Sequence, residues 1–224
     1  FTFVVNNPVP NITSVEPSSV LKGSGNSTIT VRGTNFVSGS VASFVEGFII
    51  TPRSTTVISA TELTVVLLST DLDFGGLYGI RVANPTPGGG NSNTFNFSVN
   101  YPVPVIGTIS PDTRTIGDSN FTLTINGTGF FRETGFGGAT TAQSQIYLNN
   151  VALSTTYVSA TQLTASVPTS FLTSVATLPV KVINIAPGGG ISNIVNLQVL
   201  NAVPTTTSIT PSAQFTNQNA FTMT

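Results

Sequence analysis

A stretch of ten residues occurs twice in this chain, at a spacing of 100 residues (184 − 84 = 100). Residues 84–93 read Asn-Pro-Thr-Pro-Gly-Gly-Gly-Asn-Ser-Asn, and residues 184–193 read Asn-Ile-Ala-Pro-Gly-Gly-Gly-Ile-Ser-Asn. Three consecutive glycines allow the positive φ angles that a tight chain reversal needs. The segments that follow, 94–99 and 194–199, alternate apolar and polar residues as half-buried strands do. The sequence therefore predicts one small β unit made twice.

Other landmarks of the unit recur with two different spacings. Pro17 recurs as Pro111, 94 residues later, whereas the run 54–64 recurs as 154–164, 100 residues later. The motif 33–36 also recurs 94 residues later, at 127–130. The second unit therefore carries six extra residues between Phe130 and Ser154 (100 − 94 = 6), and the Gly- and Thr-rich run 133–141 is the predicted place. Because the register is intact on both sides, we expect this insertion to be a surface loop.

The two ends of the sequence resemble parts of the same unit. Residues 1–7 match the last strand of a unit and are predicted to close a preceding repeat. Residues 8–101 form repeat 1, residues 102–201 form repeat 2, and residues 202–224 match the first strands of a following, incomplete repeat. Units of roughly 100 residues suit single-core β domains. We expect a polymer or a multi-repeat array, with the end fragments completed by a longer chain or by neighbouring molecules.

The pattern within each unit indicates about seven short strands with turn signals roughly every 8 to 12 residues. The run 27–32 alternates cleanly and should place Ile29 and Val31 in the core, while Phe36 is expected to fold back as an apolar plug. No segment has sustained helical periodicity, so helix should be nearly absent. The prediction is an all-β fold of tandem immunoglobulin-like β-sandwiches joined by short Pro-containing linkers.

The composition argues against a reactive centre. Charged residues make up 7% of the chain, against roughly 25% in an average globular protein, and the formal net charge is −1. Seven dispersed basic residues give no footprint for nucleic acid. The chain has no His and no Cys, which removes the commonest general base and the soft metal ligands. We therefore expect no enzyme activity and no catalytic, cofactor-binding or metal-binding residues. No apolar run approaches the roughly 20 residues of a membrane span.

Asp71 and Asp73 are the closest pair of carboxylates in the sequence. A Ca²⁺ loop uses such pairs, but the second unit has Phe171 and Thr173 at the equivalent positions. Few other acidic residues lie nearby, so a solvated loop is the favoured interpretation. The Gly triplets do not resemble a phosphate-binding loop, because strands rather than helices follow them.

The succession of motifs resembles the IPT/TIG domain. The carrying motifs are Pro-Ser after a short strand at Pro17, Val-Arg-Gly-Thr-Asn-Phe at 31–36, Ser-Ala-Thr-Glu-Leu-Thr at 59–64 and Pro-Gly-Gly-Gly-x-Ser-Asn at 87–93. The resemblance covers both units and both end fragments. It implies an Ig-like fold. Similar domains occur in bacterial surface proteins, starch-acting enzymes, animal receptors and transcription factors, so the family alone does not specify a function.

The surface pattern favours a structural role. The predicted edge strands at 11–15 and 94–99 carry no charge, although exposed edges usually carry charges that discourage pairing. We expect a non-catalytic module of a secreted or cell-surface multi-repeat protein (filament subunit, stalk or adhesin). Its expected partners are other copies or adjacent repeats, joined through neutral surfaces or strand addition at the incomplete ends. Cell-surface glycan is a further candidate partner. The alternative is a carbohydrate-binding or spacer module of a secreted polysaccharide-acting enzyme, which would need grouped aromatic side chains such as Phe131 and Phe136.

Overall fold

The computed structural model describes residues 1–134, 140–205 and 207–208. In repeat 1 the strands are β1 (Asn11–Glu16), β2 (Ser19–Leu21), β3 (Ser27–Thr34), β4 (Val41–Glu46), β5 (Ile49–Pro52), β6 (Ser54–Ser59), β7 (Glu62–Leu67), β8 (Gly76–Asn84), β9 (Gly90–Asn91) and β10 (Phe95–Asn100). In repeat 2 they are β11 (Val105–Ser110), β12 (Thr113–Thr115), β13 (Phe121–Thr128), β14 (Arg132–Thr134), β15 (Thr140–Gln143), β16 (Gln145–Leu148), β17 (Val151–Ala152), β18 (Thr155–Ser159), β19 (Gln162–Val167), β20 (Ala176–Asn184), β21 (Gly190–Ile191) and β22 (Val195–Leu200). Short 3-10 helices occupy Ser69–Leu72 and Thr169–Phe171. The match of residues 221–224 to a strand lies outside the described residues.

Each repeat is a sandwich of two sheets. In repeat 1 the strand orders are β1-β3-β7-β6 and β2-β10-β8-β4-β5, with β9 beside β8. Repeat 2 has the same topology, in the orders β11-β13-β19-β18 and β12-β22-β20-β16-β17, with β21 beside β20. The pairings are antiparallel except for β2 with β10 and β12 with β22, which are parallel. These sheets confirm the predicted all-β, Ig-like class.

Each sandwich has its own hydrophobic core, built from the inward-facing residues of both sheets. Ile29 and Val31 of β3 are fully buried, as their alternation predicted. Phe36 is also buried, and its ring lies against the backbone of Gly33. Alternate residues point to opposite faces of a strand, so a period-2 pattern is enough to select the core residues.

The predicted edge at 94–99 is wrong. Strand β10 pairs with β8 on one side and with β2 on the other. The three residues Ser19–Leu21 after Pro17 supply the covering strand, and they are too few to show a period. The edge at 11–15 is correct, because β1 pairs with β3 and lies at the end of its sheet.

The extra residues of repeat 2 are distributed differently from the prediction. Ser40 and Ser144 hold equivalent places, since each donates its hydroxyl proton to an equivalent Asn. Ser40 and Ser144 are 104 residues apart, whereas the landmarks before them are 94 residues apart, so ten residues are inserted before Ser144. The landmarks after them are 100 residues apart, so the hairpin after Ser144 is four residues shorter than the hairpin after Ser40 (104 − 100 = 4). The net six residues are therefore an insertion of ten and a deletion of four. The described parts of the insertion form the hairpin β14–β15.

Candidate functional site at the junction between the repeats

The Gly triplet of repeat 2 holds the residue that connects it to repeat 1. The amide of Tyr101 donates to the carbonyl of Pro187 at 2.9 Å, and the amide of Gly189 donates to the carbonyl of Tyr101 at 2.8 Å. Tyr101 and Gly188 thereby form a parallel β-bridge. We call this reversal, residues 187–189, the linker seat of repeat 2. It ties the linker to the domain that follows it.

Repeat 1 has the same seat at residues 87–89. The amide of Asn7 donates to the carbonyl of Pro87 at 2.7 Å, and the amide of Gly89 donates to the carbonyl of Asn7 at 2.7 Å. Both seats bind the seated residue, Asn7 or Tyr101, through its backbone groups. The Asn7 side chain adds a hydrogen bond from Nδ2 to the carbonyl of Pro85 at 2.8 Å. The seat therefore fixes the path of the chain and leaves the seated side chain free for other contacts.

Gly188 is required by the close approach of the linker. Its φ is +66°, and a Cβ there would lie 2.6 Å from the Cβ of Asn100 and 2.8 Å from the carbonyl oxygen of Tyr101. We expect Gly188→Ala to cost about 2 kcal/mol, from the left-handed backbone and the displaced linker. Amide exchange at Tyr101 should become faster, as measured by NMR.

Gly190→Ala is the matched control for this change. Gly190 also has a positive φ, but a Cβ there meets no atom within 4 Å. It should lower stability through backbone strain and leave the Tyr101 amide protected. Equal acceleration in both variants would contradict the role of the seat.

Polar side chains of repeat 2 brace its seat. Asn184 donates from Nδ2 to the carbonyls of Pro102 and Gly129 at 2.8 Å each, and its Oδ1 accepts from the hydroxyl of Ser144. Asn193 pairs with both backbone groups of Ile106, at 2.8 and 2.9 Å. Asn184 and Asn193 of the repeated motif are therefore structural. They satisfy backbone groups where the linker enters the sandwich.

The side chain of Tyr101 lies in the interface between the repeats. Its ring stacks on Phe131 of repeat 2 with a centroid distance of 4.3 Å. On the other side the ring packs on Gly75 of repeat 1, where a Cβ would lie 2.4 Å from the ring. Burial, then the hydrogen bond to Glu133, raises the pKa of the Tyr101 phenol above its ordinary value. The hydroxyl therefore stays a hydrogen-bond donor at neutral pH.

Glu133 of the hairpin β14–β15 completes the junction. Its side chain is only 7% exposed, and its Oε1 accepts from the amide of Gly75 at 2.8 Å. Its Oε2 accepts from the Tyr101 hydroxyl at 2.9 Å, and the Lys22 ammonium lies 3.5 Å from Oε1. The Tyr101 hydroxyl has one proton and also lies 3.2 Å from the carbonyl oxygen of Gly75. It donates to Glu133, because a carboxylate is a stronger acceptor than a carbonyl. Glu133 of repeat 2 is thus bound by three donors from the far end of repeat 1.

Glu133 corrects the expectation of a surface loop for the insertion. The sequence placed Glu133 in a Gly- and Thr-rich run whose residue pattern does not indicate burial. One signal was available. Glu133 is the one acidic residue of the inserted segment, in a chain where charge is scarce. Tyr101 gave no signal, since its position reads as the start of a linker.

Asp71 is buried in an ion pair and is not the solvated loop residue that the sequence favoured. Its carboxylate pairs with the guanidinium of Arg53, and the side chains are 5% and 11% exposed, respectively. Asp71 also accepts from the amide of Leu68 at 2.9 Å. Asp73 is exposed at the surface. Within residues 1–134, 140–205 and 207–208, no three acidic side chains come together as a metal site.

The tyrosines of the described residues lie in separate surroundings. Tyr101 is buried, and Tyr78 packs on Phe44 with a centroid distance of 4.8 Å. Tyr147 lies under Lys181, and Tyr157 lies under Arg132. Of the two aromatic residues named for the carbohydrate-binding alternative, Phe131 is buried against Tyr101. Phe136 lies outside the described residues.

No helix in the described part of the chain has both the length and the apolar character needed to cross a membrane.

Comparisons with known proteins agree with this architecture. The family model of the IPT/TIG domain matches the chain twice, at residues 10–99 and 104–199. No curated protein matches the sequence.

Solved structures with a similar chain path include two multi-domain proteins. The adhesin InvE of Yersinia pseudotuberculosis is 14% identical with a TM-score of 0.43, and the match covers 84% of this chain and 60% of InvE. The extracellular region of plexin A4 is 13% identical with a TM-score of 0.34, and the match covers 87% of this chain and 18% of plexin. This chain therefore spans less than two thirds of either protein.

Proposed function

Because the chain belongs to the IPT/TIG domain family, a generally non-catalytic type of Ig-like domain, we propose that it is a structural segment of a secreted or cell-surface multi-repeat protein. In such a protein it serves as part of a filament, stalk or adhesin. The location follows the occurrence of similar domains in bacterial surface proteins and animal receptors. We propose 8–101 and 102–201 as the boundaries of the two units.

The seated linker is the observation that carries this proposal. A protein that transmits position or force along an array needs successive domains at a fixed orientation. Here each sandwich captures the linker before it through two backbone hydrogen bonds, at Asn7 and at Tyr101. Pro102 and Pro104 also restrict the linker, because proline fixes φ. Bending at the junction therefore requires that hydrogen bonds be broken.

Low charge supports contact with further copies of the chain. Burying unpaired charge is the costly step in association, and charged residues make up 7% of this sequence. Strand β5 at the edge of repeat 1 carries no charge and leaves Ile49 and Ile50 exposed. We include lateral strand pairing at such edges in the proposal. Light scattering over a concentration series tests it, and a constant monomer mass would contradict the filament form.

The relative orientation of the two repeats tests the proposed structural role, in which the chain acts as a rigid spacer within the larger protein. We expect ¹⁵N relaxation of the whole chain to fit one rotational diffusion tensor for both repeats, because the seat and Tyr101 join them. Residues in β1–β10 and in β11–β22 should give the same tensor. Two separate correlation times, each that of a free domain of about 100 residues, would contradict a rigid spacer. The Gly190→Ala variant is a suitable control, since its junction contacts are intact.

A further inference from the structure

The two linker seats are alike, but the Glu133 contact occurs at one junction. The seats use backbone groups of Asn7 and Tyr101, so any residue with an ordinary backbone fits them. Hairpin β14–β15 results from the insertion in repeat 2, and repeat 1 has no counterpart to it. Any preference for a particular preceding unit must therefore come from the hairpin and not from the seat.

The hairpin binds a defined set of groups at the end of repeat 1. This set, which we call the socket, consists of the Lys22 ammonium, the Gly75 amide and the Tyr101 hydroxyl. Lys22 is itself held in place, since its ammonium donates to the carbonyl of Asp73 and lies 5.8 Å from the ring centre of Phe74. A nearly buried carboxylate is tolerated only when cation and hydrogen-bond donors surround it. The socket supplies both.

The equivalent end of repeat 2 lacks the ammonium and the hydroxyl, and the amide there belongs to a valine. Lys22 corresponds to Ile116, because their amides donate to the equivalent carbonyls of Asn100 and Leu200. By the same alignment, Gly75 corresponds to Val175 and Tyr101 to Asn201. A carboxylate placed against two apolar side chains would lose its hydration and gain no cation.

We propose that hairpin β14–β15 is a recognition element that selects the unit preceding it. It accepts the end of a β-sandwich that presents a lysine ammonium, a free glycine amide and a tyrosine hydroxyl. Repeat 1 fits and a second copy of repeat 2 does not, so the order of the two units is specified. This inference rests on the proposed spacer function and adds a rule for which domains can be neighbours.

A socket exchange in the full chain tests the selection. The triple change Lys22→Ile, Gly75→Val and Tyr101→Asn gives repeat 1 the residues found at the equivalent end of repeat 2. Asn at position 101 should still fit the linker seat, because Asn7 occupies the equivalent seat of repeat 1. We expect the two repeats to lose their common diffusion tensor while each sandwich stays folded. Glu62→Gln, which breaks an exposed ion pair with Arg32, is the control for the lost ion pair and should leave the tensor unchanged.

The Gly75 amide reports the same contact locally. Glu133→Ala removes its acceptor, and we expect hydrogen exchange at Gly75 to accelerate about tenfold or more, because the amide then meets water. The charge exchange Lys22→Glu with Glu133→Lys should not restore slow exchange, since lysine cannot accept from an amide. Restoration by that pair would show simple charge attraction and overturn the selection.

The outcomes separate this inference from the proposed function. If the unmodified chain already shows two correlation times, the rigid spacer is wrong. If it shows one tensor and the socket exchange also shows one, the spacer stands and the selection by Glu133 is overturned. Loss of the common tensor in the socket exchange, with fast Gly75 exchange in Glu133→Ala, supports the selection.

Discussion

Replacing Asp71 by alanine should lower the free energy of unfolding of repeat 1 by about 3–5 kcal/mol. Nε of Arg53 donates to Oδ2 of Asp71 at 2.6 Å, and both side chains are nearly buried. The pair contributes little by itself, because its attraction offsets the loss of hydration. Removing Asp71 leaves the largely buried guanidinium of Arg53 without its counter-charge. Calorimetry or denaturant titration of the full chain measures the effect.

Repeat 2 suggests the control for this prediction. It has Leu153 and Phe171 where repeat 1 has Arg53 and Asp71, and both pack on its core. The double change Arg53→Leu with Asp71→Phe should therefore be far closer to the native stability than Asp71→Ala. Asp73→Ala, two residues away and exposed, should stay within about 0.5 kcal/mol. A cost below about 1 kcal/mol for Asp71→Ala would show that the ion pair is effectively solvated.

Asn184→Ala should destabilise repeat 2 by about 3 kcal/mol. The Asn184 side chain is 2% exposed and serves the carbonyls of Pro102 and Gly129 and the hydroxyl of Ser144. Each buried polar group left without a partner costs about 1–3 kcal/mol, reduced where water enters. Since Pro102 follows the seated Tyr101, the variant should also speed amide exchange at Tyr101. Thermal unfolding and NMR exchange measure the two effects.

Replacing an exposed asparagine by alanine shows how much of the effect comes from the lost hydrogen bonds of Asn184. Asn196 of β22 is exposed, and Asn196→Ala should leave both quantities near their native values. Asn84→Ala in repeat 1 should match Asn184→Ala, since its bonds to Pro8, Asn35 and Ser40 are equivalent. An effect of Asn184→Ala no larger than that of Asn196→Ala would mean that water replaces the lost hydrogen bonds.

Local patterns were sufficient to predict strand β3 and its core residues. The alternation in 27–32 identified Ile29 and Val31 because side-chain direction in a strand depends only on position. Asn149 and Asn150 adopt the positive φ that asparagine tolerates in a turn. Strand β2 was missed, since three residues have no period and its parallel pairing with β10 depends on a partner 79 positions away (98 − 19 = 79).

The sequence by itself determined the unit, its repetition and its all-β, Ig-like class, because a period of two and a repeated Gly triplet are local properties of the chain. Only the tertiary structure decided what those elements do at the junction. It placed the Gly triplet around the linker, buried Asp71 against Arg53, and turned the insertion into a hairpin with Glu133 in a socket of repeat 1. The physical reason is that burial and pairing of a charge depend on groups distant in the chain, and Lys22, Gly75 and Tyr101 meet Glu133 only after both sandwiches have folded.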